Sequence, residues 1–235
     1  MSSQTRYVFA PAPPVSAAMR GSTERFPVQR IYCVGRNYED HAKEMGFTGR
    51  EAPFFFLKPA NALLAAAEGE TARMPYPSLT QNLHHEVELV VAIGLGGSHI
   101  AAADAARHIF GYAVGLDMTR RDLQNEMKKQ GRPWSIGKAF DHSAPIGPIT
   151  LAAQAGGAAQ AEIALDVNGV MRQHSNTSKL IWSIPEIIEH LSAAWELRAG
   201  DLIYTGTPEG VAAVVPGDQM RATVAGLAPL CVQVV

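Results

Sequence analysis

The sequence lacks the features that mark several large classes of protein. Two cysteines among 235 residues are too few for a disulfide framework, and both lie in apolar, strand-like runs. No apolar run approaches the roughly 20 residues that a membrane-spanning helix requires. The formal net charge of −2 gives no excess of positive charge for binding nucleic acid or an anionic membrane. We therefore expect a cytoplasmic protein with no nucleic-acid or membrane partner, in which Cys33 and Cys231 are buried free thiols.

Targeting and nucleotide-binding signals are also missing. The N-terminal run is rich in proline and alanine and lacks the basic start and continuous apolar middle of a signal peptide. We expect residues 1–28 to form an extension packed on the surface of one domain, residues 29–235. The glycine-rich stretch 94–99 contains no G-x-G-x-x-G, so a dinucleotide-binding fold is not predicted.

What is present is a chain with enough apolar residues, 47%, to bury a sizeable core. Short apolar runs predict more strands than helices, and the two do not alternate regularly. This favours an α+β fold that is mostly β with a few helices, rather than a doubly wound sheet. One hairpin is predicted by an Asn-Gly pair within residues 164–173.

Three helices are predicted after residue 100. An alanine-rich one is expected near residues 101–109. The next spans residues 119–131 and has Thr119 as its expected N-cap. The last spans residues 183–195 and begins with a serine and a glutamate spaced as a capping box.

The stretch "NLHHEVELVVAIG" (81–93) raises the main chemical question. Glu86 and Glu88 are two residues apart, so on a strand both side chains project from the same face. Asp117 ends another apolar strand. Three carboxylates form a hard, oxygen-ligated site suited to Mg²⁺, Mn²⁺ or Ca²⁺. The alternative is a solvated face without a metal, and direct ligation by the preceding histidine pair is a further option.

Other polar residues form weaker clusters. His41 and Glu44 are three apart, so on a helix they are neighbours, and a carboxylate beside an imidazole orients a general base. The same spacing could equally describe an exposed pair on a polar helix. Arg121 and Gln124 share one face of the helix after Asp117 and could hold a carboxylate or carbonyl.

Three more side chains stand out by their context. Lys58 and Lys138 each place a cation in an apolar stretch, where lysine is rare unless it has a partner. Thr207 lies in a Gly- and Pro-rich turn after a strand and could offer a hydroxyl there, although a plain tight turn would look the same.

Taken together, seven stretches resemble the fumarylacetoacetate hydrolase family. They occur in the family's order and span roughly residues 29–235. They are "CVGRNYEDHAKEM", "FFFLKP", "NLHHEVELVVAIG", "GYAVGLDMTRRDLQ", "GKAFDHSAPIGP", "SIPEIIEHLS" and "IYTGTPEGV". The N-terminal part and the "REAPFFFLKPANAL" stretch are most similar to bacterial fumarylpyruvate (acylpyruvate) hydrolases.

The resemblance implies a single-domain β-roll, a homodimer, and one divalent cation per active site, with Mg²⁺ expected first and Mn²⁺ or Ca²⁺ as options. It implies metal ligation by Glu86, Glu88 and Asp117. It also implies catalytic roles for His41, Glu44 and Lys138. The substrate-binding residues that it implies are Arg121, Gln124, Lys58 and Thr207.

The implied reaction is hydrolysis of the C–C bond of an acylpyruvate, a 2,4-dioxo acid. Fumarylpyruvate from gentisate-type aromatic catabolism would give fumarate and pyruvate. The nearest alternative keeps the fold and the metal and instead decarboxylates oxaloacetate, or decarboxylates or isomerises another 2-oxo acid. A non-catalytic metal-binding β protein is the alternative from a different class.

Overall fold

The computed structural model describes residues 5–38 and 50–235. Within these ranges the strands far outnumber the helices, which confirms the expected mostly-β chain. The first nine strands are β1 (Ser16–Ala18), β2 (Arg25–Pro27), β3 (Arg30–Gly35), β4 (Phe54–Pro59), β5 (Leu63–Ala65), β6 (Thr71–Met74), β7 (Leu83–His84), β8 (Val87–Ile93) and β9 (Ile109–Leu116). The next nine are β10 (Thr119–Arg120), β11 (Ala144–Ile146), β12 (Thr150–Leu151), β13 (Glu162–Val167), β14 (Val170–Asn176), β15 (Leu202–Tyr204), β16 (Ala213–Val214), β17 (Gln219–Val224) and β18 (Leu230–Val234).

Helical structure in the described part is limited to short segments. The α-helices are α1 (Arg121–Lys129), α2 (Ser135–Lys138) and α3 (Ile184–Ala194). The 3-10 helices are Ala60–Ala62, Ala102–His108, Ala152–Gln154, Ala158–Gln160 and Thr177–Lys179. No helix among the described residues is long and apolar enough to cross a membrane.

The largest sheet has the order β4-β3-β15-β8-β9-β11-β5, with β12 also paired to β9. Strand β8 lies inside it, antiparallel to both β15 and β9. All seven residues of β8 are buried, as is typical of a strand covered on both faces. This burial decides between the two sequence interpretations, because it excludes a solvated face for Glu88.

A second sheet has the order β14-β13-β17-β18-β6 and packs on the first. Leu89 and Val91 from β8 share one hydrophobic core with Ile163 and Leu165 from β13. The Asn-Gly hairpin between β13 and β14 is confirmed. Its two turn residues have φ values of 52° and 76°, as a two-residue hairpin turn of this kind requires.

The N-terminal strands β1 and β2 pair with each other. Ala17 and Phe26 from this pair lie in a second buried cluster, together with Ile31 and Val90 of the large sheet. The division of the chain at residue 28 stays a prediction. The cysteine expectation holds for Cys33, which is buried and free, whereas Cys231 is free but only partly buried.

Two helix predictions are wrong in detail, and one is confirmed. The alanine-rich segment forms the 3-10 helix Ala102–His108 instead of an α-helix. Thr119 does not cap α1, because it is in strand β10 and its hydroxyl donates to a Glu86 carboxylate oxygen at 3.2 Å. The capping box of α3 is present, since the Glu186 carboxylate accepts from the backbone N–H and the hydroxyl of Ser183 at 2.9 and 2.7 Å.

Candidate metal centre and active site

The pairing of β8 with β9 brings the three acidic residues together. Val87 is opposite Leu116, so the residues that flank this pair, Glu86 and Asp117, are adjacent, and the Asp117 N–H donates to the Glu86 carbonyl at 2.9 Å. Glu88 follows on the same face of β8. One carboxylate oxygen from each of the three lies within 4.8 Å of the others, and all three residues are buried.

The donor chemistry of this triad fits a divalent cation. Burial, reinforced by the charges of Asp117 and Glu86, raises the pKa of Glu88 well above its ordinary value. Three carboxylates in so small a buried volume repel one another, and a cation held between them would relieve that repulsion. Carboxylate oxygens are the ligands that Mg²⁺, Mn²⁺ and Ca²⁺ prefer.

Lys138 is a buried cation between two of these carboxylates. Its Nζ donates to Glu86 at 2.8 Å and to Asp117 at 2.6 Å. Burial alone would lower its pKa, but the charges of Asp117 and Glu86 outweigh burial and raise it. Lys138 therefore remains an ammonium at neutral pH, able to donate hydrogen bonds and stabilise negative charge but unable to act as a base.

Lys58 lies behind Asp117, among protein partners. Its Nζ is 2.8 Å from Asp117 Oδ1 and donates to the Met118 carbonyl at 3.1 Å and to the carbonyl of Lys138. The Asp117 contact is an ion pair, and the two carbonyls accept hydrogen bonds from the ammonium. Lys58 does not line the cavity above the triad. The geometry favours a role in fixing Asp117 over direct contact with a substrate.

Arg121 and Gln124 meet on the first turns of α1, as their spacing predicts. The Arg121 guanidinium donates to the Gln124 side-chain oxygen and to a Glu86 oxygen. Its Nε also donates to His84 Nδ1 at 3.4 Å, while His84 Nε2 lies 2.9 Å from Asn82 Oδ1. Burial and then the Arg121 charge lower the pKa of His84 to about 4, so the ring is neutral. His84 therefore orients Arg121 and is not part of the carboxylate cluster.

Thr207 reaches the triad through the loop after β15. The preceding residue, Gly206, donates its N–H to Glu88 Oε2 at 2.9 Å. Gly206 has a φ of +106°, and a Cβ there would lie 2.7 Å from the Cβ of Asn37. Both the backbone angle and the close approach require glycine. The loop is thus held against Glu88 and places Thr207 beside the carboxylates.

Two adjoining cavities give access to these groups. The smaller, of about 30 Å³, is directly above the triad, and its walls include Glu86, Glu88, Asp117, Gln124, Lys138 and Thr207. The larger, of about 560 Å³, shares several walls with it, namely Arg36, Phe54, Phe56, Trp134 and Lys138. The Phe54 and Trp134 rings are in edge contact with centroids 5.3 Å apart. The carboxylate triad therefore opens onto an aromatic chamber.

The expected catalytic pair, His41 and Glu44, is outside the described residues. Two residues that sequence reasoning did not select also belong to the site. Arg36 lines both cavities, and Gln173 forms hydrogen bonds to Thr207 and to the start of β8. Arg36 lies in "GRNY", within one of the stretches that resemble the family, so that resemblance could have identified it. No local pattern marks Gln173, which is contributed by the second sheet.

Comparison with known proteins agrees with this geometry. Residues 30–235 match the family described as fumarylacetoacetate (FAA) hydrolase C-terminal. The crystal structure of fumarylpyruvate hydrolase from Pseudomonas aeruginosa, in complex with Mn²⁺ and pyruvate, is 55% identical. It superposes with a TM-score of 0.95 over 98% of this chain and 99% of that one.

Two curated relatives have another activity in their names. Mitochondrial oxaloacetate tautomerase FAHD1 from Rattus norvegicus is 44% identical over 199 residues, which cover 85% of this chain and 88% of that protein. Oxaloacetate tautomerase YcgM from Escherichia coli is 39% identical over 208 residues, which cover 88% and 93%. On the sequence match, the fold and the carboxylate triad, the chain belongs to the fumarylacetoacetate hydrolase family.

Proposed function

We propose that this protein hydrolyses the C–C bond of an acylpyruvate, and that its substrate is fumarylpyruvate, which yields fumarate and pyruvate. The observation that carries the proposal is the buried triad of Glu86, Glu88 and Asp117, with the Lys138 ammonium against it, opening onto a larger chamber. The fumarylpyruvate hydrolase that is 55% identical, crystallised with Mn²⁺ and pyruvate, supports the same chemistry.

Glu86, Glu88 and Asp117 would hold the divalent cation. When bound, the cation supplies a Lewis acid that stabilises the negative charge on an enolate leaving group. The surrounding side chains bind and orient the substrate. Arg121 is suited to a substrate carboxylate because its planar guanidinium can form a forked hydrogen bond.

The hydrolytic step assigns roles to the remaining side chains. His41, held by Glu44, would take a proton from a water molecule, whose oxygen adds to the distal carbonyl carbon. Lys138 and Gln124 would donate hydrogen bonds to the oxyanion that forms there. The bond between C3 and C4 then breaks, the acyl part leaves as a carboxylate, and the pyruvate enolate takes up a proton.

The size of the chamber supports an acylpyruvate over a smaller acid. Oxaloacetate has only four carbons, and a cavity of about 560 Å³ beside the triad offers far more room than it needs. The chamber walls include Phe54, Phe56 and Trp134, which suit a planar, unsaturated acyl chain. Arg36 supplies positive charge near a carboxylate at the end of that chain.

A second candidate is isomerisation or decarboxylation of oxaloacetate. One observation favours the isomerisation: the relatives that are 44% and 39% identical are named oxaloacetate tautomerases. Decarboxylation needs no activated water, so it should survive loss of His41, whereas hydrolysis should not. This difference separates hydrolysis from decarboxylation, and isomerisation of oxaloacetate differs from both because it breaks no C–C bond.

The test follows the near-ultraviolet absorbance of fumarylpyruvate with the Mg²⁺-loaded protein, and again in EDTA. We expect loss of the dioxo chromophore, with fumarate and pyruvate formed in equal amounts, and no reaction in EDTA. His41→Ala should lower the rate by at least about 100-fold, as for loss of a general base. His174→Ala is the matched control, because His174 forms an exposed pair with Glu162 at 3.1 Å. An unchanged spectrum with the loaded protein would exclude this substrate.

Several finer properties remain predictions from the sequence. They are Mg²⁺ as the resident cation, the homodimer, the cytoplasmic location and the place in aromatic catabolism. The Mn²⁺ in the Pseudomonas aeruginosa structure supports a divalent cation for that relative. Metal analysis of the purified protein and its mass in solution would test the first two.

A further inference from the structure

Gln173 connects the second sheet to the active site through four hydrogen bonds. It lies on β14, and its exposed fraction is only 1%. Its Oε1 accepts from the Val87 N–H at 3.1 Å and lies 2.9 Å from His85 Nδ1. Its Nε2 donates to Thr207 Oγ1 at 2.8 Å and to the Pro208 carbonyl at 2.9 Å. Every polar position of the amide is therefore directed at a specific partner.

The backbone partners fix which way the amide points. A backbone N–H can only donate and a backbone carbonyl can only accept. The Gln173 oxygen must therefore face Val87, and its NH₂ group must face Pro208. The reversed amide would set two donors against each other on one side and two acceptors on the other.

This orientation determines the proton positions on the two side-chain partners. Because the oxygen of Gln173 faces His85, His85 must carry its proton on Nδ1. Because the NH₂ group faces Thr207, the Thr207 oxygen must accept. The single hydroxyl proton of Thr207 is then left to donate elsewhere, and within residues 5–38 and 50–235 it donates to no protein acceptor.

The position of Thr207 indicates where that proton can go. Thr207 lines the small cavity together with Glu86, Glu88 and Asp117. Its loop is attached by Gln173 at the Thr207 hydroxyl and at the Pro208 carbonyl, and by the Gly206 N–H at Glu88. The hydroxyl is thus held at a fixed place beside the triad as a donor.

We propose that Gln173 is a positioning residue, which makes the Thr207 hydroxyl a hydrogen-bond donor to an oxyanion in the cavity. The ligand chemistry is the carboxylate or 2-oxo oxygen of a 2-oxo acid, and this choice of ligand rests on the proposed function. Gln173 itself touches neither substrate nor cation. It acts by donating to the Thr207 oxygen, so that the Thr207 hydroxyl cannot donate towards Gln173.

The test uses oxalate binding to the Mn²⁺-loaded protein, measured by titration calorimetry. Oxalate is planar and presents the same O–C–C–O arrangement as a 2-oxo acid, and its binding requires no turnover. Gln173→Glu keeps the shape but turns the NH₂ group into an acceptor, which would capture the Thr207 proton. We expect it to weaken oxalate roughly 10- to 100-fold, as for loss of a hydrogen bond to a charged group.

A double-mutant cycle separates positioning from a general structural effect. Thr207→Val should weaken oxalate by a similar factor, and Thr207→Ser should restore near wild-type binding. In the Thr207→Val background, Gln173→Glu should change oxalate affinity less than about threefold, because the hydroxyl it acts on is gone. If the two losses multiply, the proposal is wrong.

Three controls keep the outcome interpretable. Thr177→Val removes a buried threonine hydroxyl that donates to the Ala158 carbonyl at 2.8 Å, and it should lower Tm without changing oxalate affinity. If Gln173→Glu does not fold, Gln173→Met replaces it. This variant frees the Thr207 hydroxyl without offering it an acceptor, so it should weaken oxalate less than Thr207→Val does, and its effect should vanish in the Thr207→Val background. The Mn²⁺ affinity of each variant is measured separately.

The outcomes also distinguish this proposal from the proposed function. Coupling between Gln173 and Thr207 in a protein that hydrolyses no acylpyruvate would support the positioning role and reject the hydrolase. Hydrolysis without coupling would reject the positioning role alone. Failure of the Mn²⁺-loaded wild-type protein to bind oxalate would also reject the positioning role, because no oxyanion would then accept the Thr207 hydrogen bond.

Discussion

Replacing Lys138 by methionine removes the buried ammonium while keeping most of the side-chain volume. In the wild-type site the Lys138 Nζ lies 2.8 Å from Glu86 and 2.6 Å from Asp117, and the side chains of all three are at least 93% buried. The triad carries three potential negative charges, and within residues 5–38 and 50–235 three cations contact it: Lys138, Lys58 and Arg121. The substitution removes one of these three positive charges and leaves all three carboxylates in place.

The expected effect depends on whether a divalent cation is bound. Removing one partner of a buried ion pair destabilises a protein by about 3–5 kcal/mol, because an uncompensated charge is left behind. We expect about 3 kcal/mol in EDTA, the lower end, because Glu88 has a raised pKa and can take up a proton that absorbs part of the excess charge. With Mn²⁺ bound, the cation replaces the missing positive charge, so the difference should narrow to about 1 kcal/mol.

The assay is urea unfolding of wild type and Lys138→Met, each in EDTA and in saturating Mn²⁺. Lys128→Met is the matched control, since Lys128 is exposed in the last turn of α1, and its free energy of unfolding should change by less than about 0.5 kcal/mol. A loss in EDTA below about 1 kcal/mol would refute the argument from buried charge. An equal loss with and without Mn²⁺ would refute the triad as the cation site.

Two further predictions concern the backbone and a helix cap. Gly206→Ala should lower the free energy of unfolding in urea by about 2–4 kcal/mol, because the φ is strained and the new Cβ would contact Asn37. Gly217→Ala is the control: its φ is +99° but nothing lies within 4 Å, so it should lose only about 1 kcal/mol. Equal losses would rule out a cost from the contact with Asn37. Ser183→Ala should lower the free energy of unfolding by about 1 kcal/mol at pH 7. The Ser183 hydrogen bonds, with Arg50, lower the pKa of Glu186 from 4.5 to about 2, so this stabilisation is present above about pH 4.5 and declines as the pH falls towards 2. A penalty that is the same at pH 5 and pH 3 would contradict this linkage.

Local sequence patterns were sufficient for the parts of this protein that depend on near neighbours. The spacing of Glu86 and Glu88 placed both side chains on one strand face, because side-chain direction on a strand repeats every two residues. The Asn-Gly pair specified a hairpin, and Ser183 with Glu186 specified the start of α3, because turns and caps are decided within four residues. The ordered set of motifs was sufficient to identify the family.

Local patterns failed where a tertiary contact competed with them. Thr119 is a residue type that commonly caps helices, and it lies at the expected position. Pairing of β10 with β7 instead places it in a strand, and its hydroxyl donates to Glu86. The alanine-rich segment has high helix propensity, yet it forms a 3-10 helix against α3. Propensity is a weak energy, and packing outweighs it.

The sequence by itself determined the three carboxylates and several of the side chains that surround them, and the tertiary structure alone decided how they are connected. Lys138 is 52 residues from Glu86 and Gln173 is 34 residues from Thr207, yet each pair is joined by a hydrogen bond of 2.8 Å. No periodicity along the chain encodes such distances, because they arise from the pairing of strands and the packing of two sheets. For the same reason, the roles of the two histidines became visible only when their partners were in place, Arg121 for His84 and Gln173 for His85.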